Sequence, residues 1–450
     1  MKRTALSLVT FLVLVSLVLA ACGPAPTPTP VPPPPTATKA PAPAAATATP
    51  VPPAPTATPA PKPVKLALWT KEAGKDLDWI NAQYKAFNAK YPHITIEITN
   101  KGVEDLRNDY QTASLAGTGP DFLWTVNDHI GVLAAAKLIQ PAEDVFGKDY
   151  FKQFVQPGID AALYQGKIWG IPISVGNQLM LLYNKKLLPT PPTDTDQLIK
   201  MSQDFMKANA GKYGLVYNLN EPFWLAPWLG GFGGWPLDES GTTVKATLDN
   251  QAMVDALQFL HDLKFVQKIV PAEADYNAAD TLFKEGKAAM IINGDWSLAG
   301  YQDITTTKVV DLGVARIPKV VKTGKWPSPM TSGVYFLINA ATKTEKLDAV
   351  KLFINWIEAK PQQVDFTKNL TRLPALTEAS TDPVVAGNAI LKGSFDQMSV
   401  GRPMPVVPEM RCAWDAIRPN QEAVMGDKAT PAAAAKSMQP AAEDCIKKMK

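Results

Sequence analysis

Histidine is scarce in this chain of 450 residues, occurring only at His93, His129 and His261, which are far apart and match no metal-ligand spacing. Cysteine is equally scarce: Cys22, Cys412 and Cys445 all lie far from any histidine, so a thiol–imidazole nucleophile pair is hard to assemble. No G-x-S-x-G elbow, no H-E-x-x-H and no phosphate-cradling G-x-x-x-x-G-K occurs. Paired carboxylates remain, as in a glycosidase, but 42 acidic residues make carboxylates alone a poor discriminator. Net charge is only +3 and the cations are dispersed, which leaves no electrostatic footprint for nucleic acid. Beyond the N-terminal residues, no apolar run approaches the roughly 20 residues that span a bilayer.

The N-terminus carries an address. Lys2 and Arg3 precede a nearly unbroken apolar run, Leu6 to Ala21, interrupted by Ser7, Thr10 and Ser16. The run is short for a membrane span and fits the apolar region of a signal peptide over residues 1–21. It ends in Leu19-Ala20-Ala21-Cys22, which resembles the bacterial lipobox, where the cysteine is lipidated and becomes the mature N-terminus. The alternatives are an ordinary signal peptide and an uncleaved anchor. Residues 22–63 then run through Pro, Ala and Thr, with no aromatic, no acid and only Lys39 and Lys62 charged. Such a composition cannot bury enough apolar surface to offset chain entropy, so a disordered tether is expected. Extended as polyproline II, it reaches on the order of 100 Å. Cys412 and Cys445 form an even pair suited to a disulfide in an extracytoplasmic compartment, with two buried thiols as the alternative.

From Val64 onward, strand and helix patterns alternate. Val64 to Trp69, Ile94 to Ile98 and Asp121 to Val126 read as strands; Trp79, Ile80, Tyr84 and Phe87 recur at helical spacing, and Asp105 to Ala116 reads as a second helix. The same rhythm returns with strands at Ile168–Ile173, Leu179–Tyr183, Ala288–Ile292 and Val334–Asn339. Helices are expected over Thr193–Asn209, Asn250–Lys268 and Lys343–Ala359, and from about Pro431 to the end. This alternation predicts α/β architecture, and the length suits two lobes.

Eleven tryptophans are present, several beside glycine, proline and acids: Glu221-Pro222-Phe223-Trp224, Gly233-Gly234-Trp235, Asn293-Gly294-Asp295-Trp296, and Trp414 after Pro408-Glu409-Met410. An indole at a turn commonly packs a rim. Together with acids, however, the set suits sugars, whose apolar C–H faces lie on aromatic rings while carboxylates bond their hydroxyls.

Four motifs occur in an order similar to that of bacterial extracellular solute-binding proteins of carbohydrate ABC importers. They are Gly117-Thr118-Gly119-Pro120-Asp121, Gly166-Lys167-Ile168-Trp169-Gly170-Ile171-Pro172, Leu182-Tyr183-Asn184-Lys185 and Phe283 to Met290. Within that family the chain most resembles maltose/maltodextrin-binding proteins, through Glu221-Pro222-Phe223, Asn293-Gly294-Asp295-Trp296 and Met404 to Met410 with Trp414.

The resemblance implies a two-lobed periplasmic-binding-protein fold of type II, with a ligand cleft between lobes joined by crossing strands. The lobes would comprise residues 64–174 plus 331–373 and residues 179–326 plus 378–450, with crossings near Ser174–Leu179, Trp326–Thr331 and Leu373–Thr377. It assigns hydroxyl contacts to Asp128, Glu221 and Lys71 or Glu72, and stacking platforms to Phe223, Trp296 and Trp414. It implies an oligosaccharide ligand, no cofactor or metal, an ABC permease as partner, and a monomer anchored by lipid outside the cytoplasmic membrane. There are departures: His129 and Thr125 stand where the family pattern has arginine and tryptophan, the stretch after Pro172 lacks an acid, and Phe223 lacks a phenol oxygen. These put the particular sugar in question more than the class. Two other readings are a binder of a different oligosaccharide and a glycoside-active enzyme using Asp128 and Glu221.

Overall fold

A computed structural model describes residues 61–241, 243–302 and 309–449; the signal segment, Cys22 and the tether as far as residue 60 lie outside the described residues. Val64–Thr70 (β1) turns Leu66 and Leu68 into the core, and Gly74–Lys90 (α1) buries Trp79, Ile80 and Phe87 along one face. The β-branched run Ile94–Asn100 (β2) pairs parallel to β1, and Val103–Leu115 (α2) leads to Phe122–Val126 (β3), parallel to β1 on its other side. Every residue of β3 is buried, as expected of a central strand covered on both faces. The preceding glycine-rich motif is scaffold: Asp121 Oδ2 accepts from Ala67 N at 2.9 Å, and Lys346 Nζ lies 2.9 Å from Oδ1.

Asp128–Ala135 (α3) starts immediately after β3. The expected strand at 168–173 is divided. Lys167–Ile168 pairs with Leu163–Tyr164, and Ile171–Gly176 (β4) begins only after Trp169-Gly170. A Cβ at Gly170 would lie 3.0 Å from Leu337 and 3.1 Å from Tyr335, so the chain presses against its neighbour there.

Gly176 and Asn177 take positive φ of 108° and 44°, and the chain then leaves the first sheet. It enters a second sheet through Leu179–Asn184 (β5). Thr195–Ala208 (α4) is capped by Asp194 and leads to Tyr213–Val216 (β6). Pro222–Phe232 (α5) and Gln251–Phe265 (α6) follow, then Tyr276–Lys284 (α7), capped by Asp275. Ala288–Gly294 (β7) and Leu312–Ala315 (β8) complete a four-stranded sheet in the order β8-β5-β7-β6.

The ten-residue strand Met330–Asn339 (β9) returns to the first sheet between β3 and β4. Thr344–Ile357 (α8) and Lys360–Leu370 (α9) follow, and Leu373–Pro374 (β10) pairs with β4. The order β10-β4-β9-β3-β1-β2 runs across this sheet. Ala389–Met398 (α10) straddles the two halves: Leu391 packs in the first core, while Ile390 packs on the second. Glu409–Met425 (α11) and Pro431–Lys448 (α12) close the second half, joined by a disulfide between Cys412 and Cys445.

Two separate apolar cores result. One gathers Leu66, Ile80, Phe122, Phe336 and Phe353; the other gathers Leu181, Trp228, Leu257, Ile291 and Ile417. The fold is two-lobed α/β.

Candidate functional site

Glu72, Asp128, Glu221, Phe223, Trp296 and Trp414 all line one cavity of about 440 Å³. The first lobe supplies Glu72 and Asp128, and the second supplies the three rings together with Glu221. The size falls within the ordinary range of small-molecule sites.

Glu72 sits two residues past the end of β1 and two before the start of α1. Its side chain is buried, with Lys71 Nζ 2.9 Å and Arg372 Nη1 3.3 Å from Oε1. Burial opposes its ionisation, but the charges of Lys71 and Arg372 outweigh that and hold its pKa below the ordinary value. Asp128 occupies the first turn of α3, where aligned N–H groups favour a carboxylate. Burial first, and then the charge of Glu104, nevertheless push its pKa up to about 6, against the pull of Arg107 and of a hydrogen bond from the Trp414 indole.

Glu221 immediately precedes Pro222, whose fixed φ suits the first turn of α5. Its carboxylate is gripped on both oxygens by Arg418 of α11. Phe223 follows, its ring centroid 6.2 Å from that of Trp296 at an interplanar angle of 46°. Trp296 lies in the short turn after β7 and donates from Nε1 to the Tyr276 hydroxyl at 3.1 Å, which fixes its ring. At the rim, Glu104 of α2 receives Arg107 of its own helix and Arg411 of α11, an ion pair across the lobes.

The cavity wall also includes residues that the sequence does not single out: Asp76, Glu104, Asn177, Asn218, Trp224 and Tyr276. Asp76 had a faint signal as an acid in the first turn of an apolar-faced helix, and Trp224 lies inside the quoted Glu-Pro-Phe-Trp motif. Asn177 and Tyr276 are brought in by the hinge and by the start of α7, which no local pattern announces. Arg418 follows Trp414 by four residues and so shares its helix face.

Two of the departures from the family pattern, Thr125 and His129, have a structural account. Thr125 Oγ1 and His129 Nδ1 are 2.9 Å apart, both residues are fully buried, and neither lines the cavity. Burial, then the charge of Arg107, lowers the His129 pKa to about 3, so the ring is neutral at physiological pH. Gly131 on the same helix lets Val406 approach: a Cβ there would fall 1.9 Å from the Val406 carbonyl oxygen. Beyond the stretch after Pro172 that lacks an acid, Asn177 N donates to Asp295 Oδ2 at 3.1 Å.

Two apolar cores, crossing strands and a cavity lined by acids of both lobes and by rings of the second define a cleft-type ligand-binding protein. Residues 82–393 match the family described as bacterial extracellular solute-binding protein, and the chain belongs to that family. It is similar to the maltotriose-binding protein of Pyrococcus abyssi, with 28% identity over 81% of this chain and 78% of that one. It is also similar to the galactooligosaccharide-binding protein of Bacillus subtilis, with 25% identity over 74% of this chain and 77% of that one. Among solved structures it resembles the maltose/maltodextrin-binding domain MalE from Bdellovibrio bacteriovorus bound to maltotriose. The TM-score is 0.81 and the identity 36%, covering 85% of this chain and all of that one.

Proposed function

We propose that this protein captures maltose and maltooligosaccharides in the cleft, closes over them and delivers them to the membrane permease of an ABC importer. The observation that carries the reading is the division of the cavity. Phe223, Trp296 and Trp414 offer flat apolar surface from the second lobe, while Glu72 and Asp128 offer acceptors from the first. A pyranose has both an apolar face and a hydroxyl edge, so it fits between them. Likeness to a structure that holds maltotriose supports the α-glucan form of the reading.

Closure follows from the same division. A ligand that touches both walls gains its full set of contacts only when the lobes approach, and it shifts the equilibrium by that difference. Lipid on Cys22, with the Pro-rich tether behind it, would keep this receptor at the outer face of the membrane, within reach of its permease. The family is extracellular, in keeping with that placement.

Binding without turnover is part of the proposal. A general acid must bring a proton to the scissile oxygen. Glu221 instead has both oxygens committed to the Arg418 guanidinium, so it is not placed to hand a proton to a ligand. Likeness to a galactooligosaccharide-binding protein favours a second reading, in which the sugar is another oligosaccharide.

Tryptophan fluorescence titrations with maltose, maltotriose, a galactooligosaccharide and xylobiose test the choice. Maltotriose is expected to bind more tightly than the galactooligosaccharide or xylobiose; the reverse order would replace the α-glucan assignment. Overnight incubation with maltoheptaose should produce no new reducing ends.

A further inference from the structure

Where the lobes meet beneath the cavity, five ionisable side chains crowd together. Glu72 and Asp76 come from the first lobe's opening loop and helix, Lys71 precedes them, Arg372 lies between α9 and β10, and Asp295 follows β7 of the second lobe. Tyr276 faces the same cluster from α7. Arg372 is 1% exposed and reaches three acids: Glu72 at 3.3 Å, Asp76 at 3.6 Å and Asp295 at 3.7 Å. Three carboxyl groups thus share two cations, and the cluster carries one negative charge too many if all ionise.

Along with Asp295 at Oδ1 and Arg372 at Nε and Nη2, Asp76 is one of several members with an atom that has no hydrogen-bond partner among the described residues. It is 5% exposed, and its Oδ1 accepts no hydrogen bond among the described residues. It also lines the cavity, as does Asn177, whose own Oδ1 is enclosed and equally without a partner. Buried acceptors in native proteins are paired. Asp76 Oδ1 is turned toward Arg372 Nη1 at 3.6 Å, while the residue itself and Asn177 line the cavity, where a ligand can bring donors to them. A sugar hydroxyl is such a donor.

We propose that Asp76 is a further specificity-determining contact of the cleft: a ligand hydroxyl donates to its carboxylate while Arg372 holds that carboxylate from behind. The assignment rests on the carbohydrate reading above. It adds to the floor of the site a residue that lies on neither the aromatic platforms nor the Asp128 edge. Binding is then coupled to a proton. Burial first, then the charges of Glu72 and Asp295, raise the Asp76 pKa to about 7 against the pull of Arg372 and Lys71. The free protein near neutrality is divided between protonated and ionised Asp76, and a hydroxyl donor selects the ionised form. Capture of the sugar therefore expels a proton.

Calorimetry with maltotriose at about pH 7, in two buffers of different ionisation heat, measures that proton without any mutation. The expected result is net proton release, with affinity rising between about pH 6 and pH 8. Asp76→Asn keeps the shape and cannot ionise. It should weaken binding tenfold or more and remove the neutral component of proton release, leaving only the more acidic contribution of Asp128. Asp128→Asn should do the converse and keep the neutral component. Absence of proton release by the wild-type protein at pH 7 would overturn the proposal. So would an Asp76→Asn protein with unchanged affinity and unchanged release. If the wild-type protein fails to bind maltotriose, the α-glucan reading falls together with this one. If it binds and Asp76→Asn is indistinguishable from it, only this one falls.

Discussion

Arg418 holds Glu221 by both carboxylate oxygens, donating from Nη2 to Oε1 at 3.0 Å and from Nη1 to Oε2. The two residues stand on different helices of the second lobe, so the fork fixes the edge of the cavity before any ligand arrives. A planar guanidinium makes this paired contact and an ammonium does not. Arg418→Lys should therefore keep the charge yet weaken maltotriose binding severalfold, with little change in melting temperature. Fluorescence titration beside a thermal melt separates the effects, and full affinity in Arg418→Lys would show that the fork does not organise the site.

The indoles should contribute through stacking. Trp296→Ala and Trp414→Ala are each expected to lower affinity tenfold or more, about 1.4 kcal/mol. Trp296 is held by Tyr276 and is half-buried, so its loss should cost binding more than fold. Unchanged affinity in both variants would reduce these rings to packing.

Glu104 and Arg411 link the lobes at the rim of the cavity. Both are partly exposed, and such pairs are worth about 0–1 kcal/mol. Arg411→Gln should favour the open form by no more than a few-fold. Small-angle scattering of the ligand-free protein is expected to show a slightly larger radius of gyration than wild type, and the two should converge when ligand is saturating.

The Cys412–Cys445 disulfide closes a loop over a sequence separation of 33 and ties α11, which carries Trp414 and Arg418, to α12. Loop entropy predicts a contribution of about 3–4 kcal/mol. Reduction, or Cys445→Ser, should lower the melting temperature of the protein measurably; an unaltered melt under full reduction would contradict that contribution.

Glu358 is a purely structural acid. Both its carboxyl oxygens are enclosed and accept no hydrogen bond among the described residues, and burial raises its pKa well above the ordinary 4.5. A raised folded pKa means that stability is fully present below about pH 4.5 and is lost as pH rises toward the folded value. Glu358→Gln should therefore gain stability relative to wild type as pH rises and show no such gain below pH 4.5. Melting curves of the two proteins across pH give the difference directly.

Much of this architecture is legible in the sequence, for physical reasons. The opening strands and helices announce themselves by period: Trp79, Ile80 and Phe87 at helical spacing, Phe122 to Val126 as a fully buried run. Six of the named helices have no counterpart in the sequence pattern, and three of them contain proline. Pro222–Phe232 carries Pro227 and two glycines, Glu409–Met425 carries Pro419, and Lys360–Leu370 opens on Pro361. Interior prolines such as Pro227 and Pro419 argue against helix locally, and tertiary packing overrides them. The cavity-lining rings Phe223, Trp296 and Trp414 are visible as motifs, because rings beside turns form compact patterns. The acid cluster is not, since Glu72, Asp295 and Arg372 are separated by hundreds of positions and meet only because both lobes converge on the hinge.

The most direct measurement is titration calorimetry of the protein with maltotriose, followed by chromatography of the recovered sugar. The account predicts saturable binding of one maltotriose per chain and recovery of intact trisaccharide. No heat of binding with maltotriose, or recovery of glucose and maltose in its place, would contradict it.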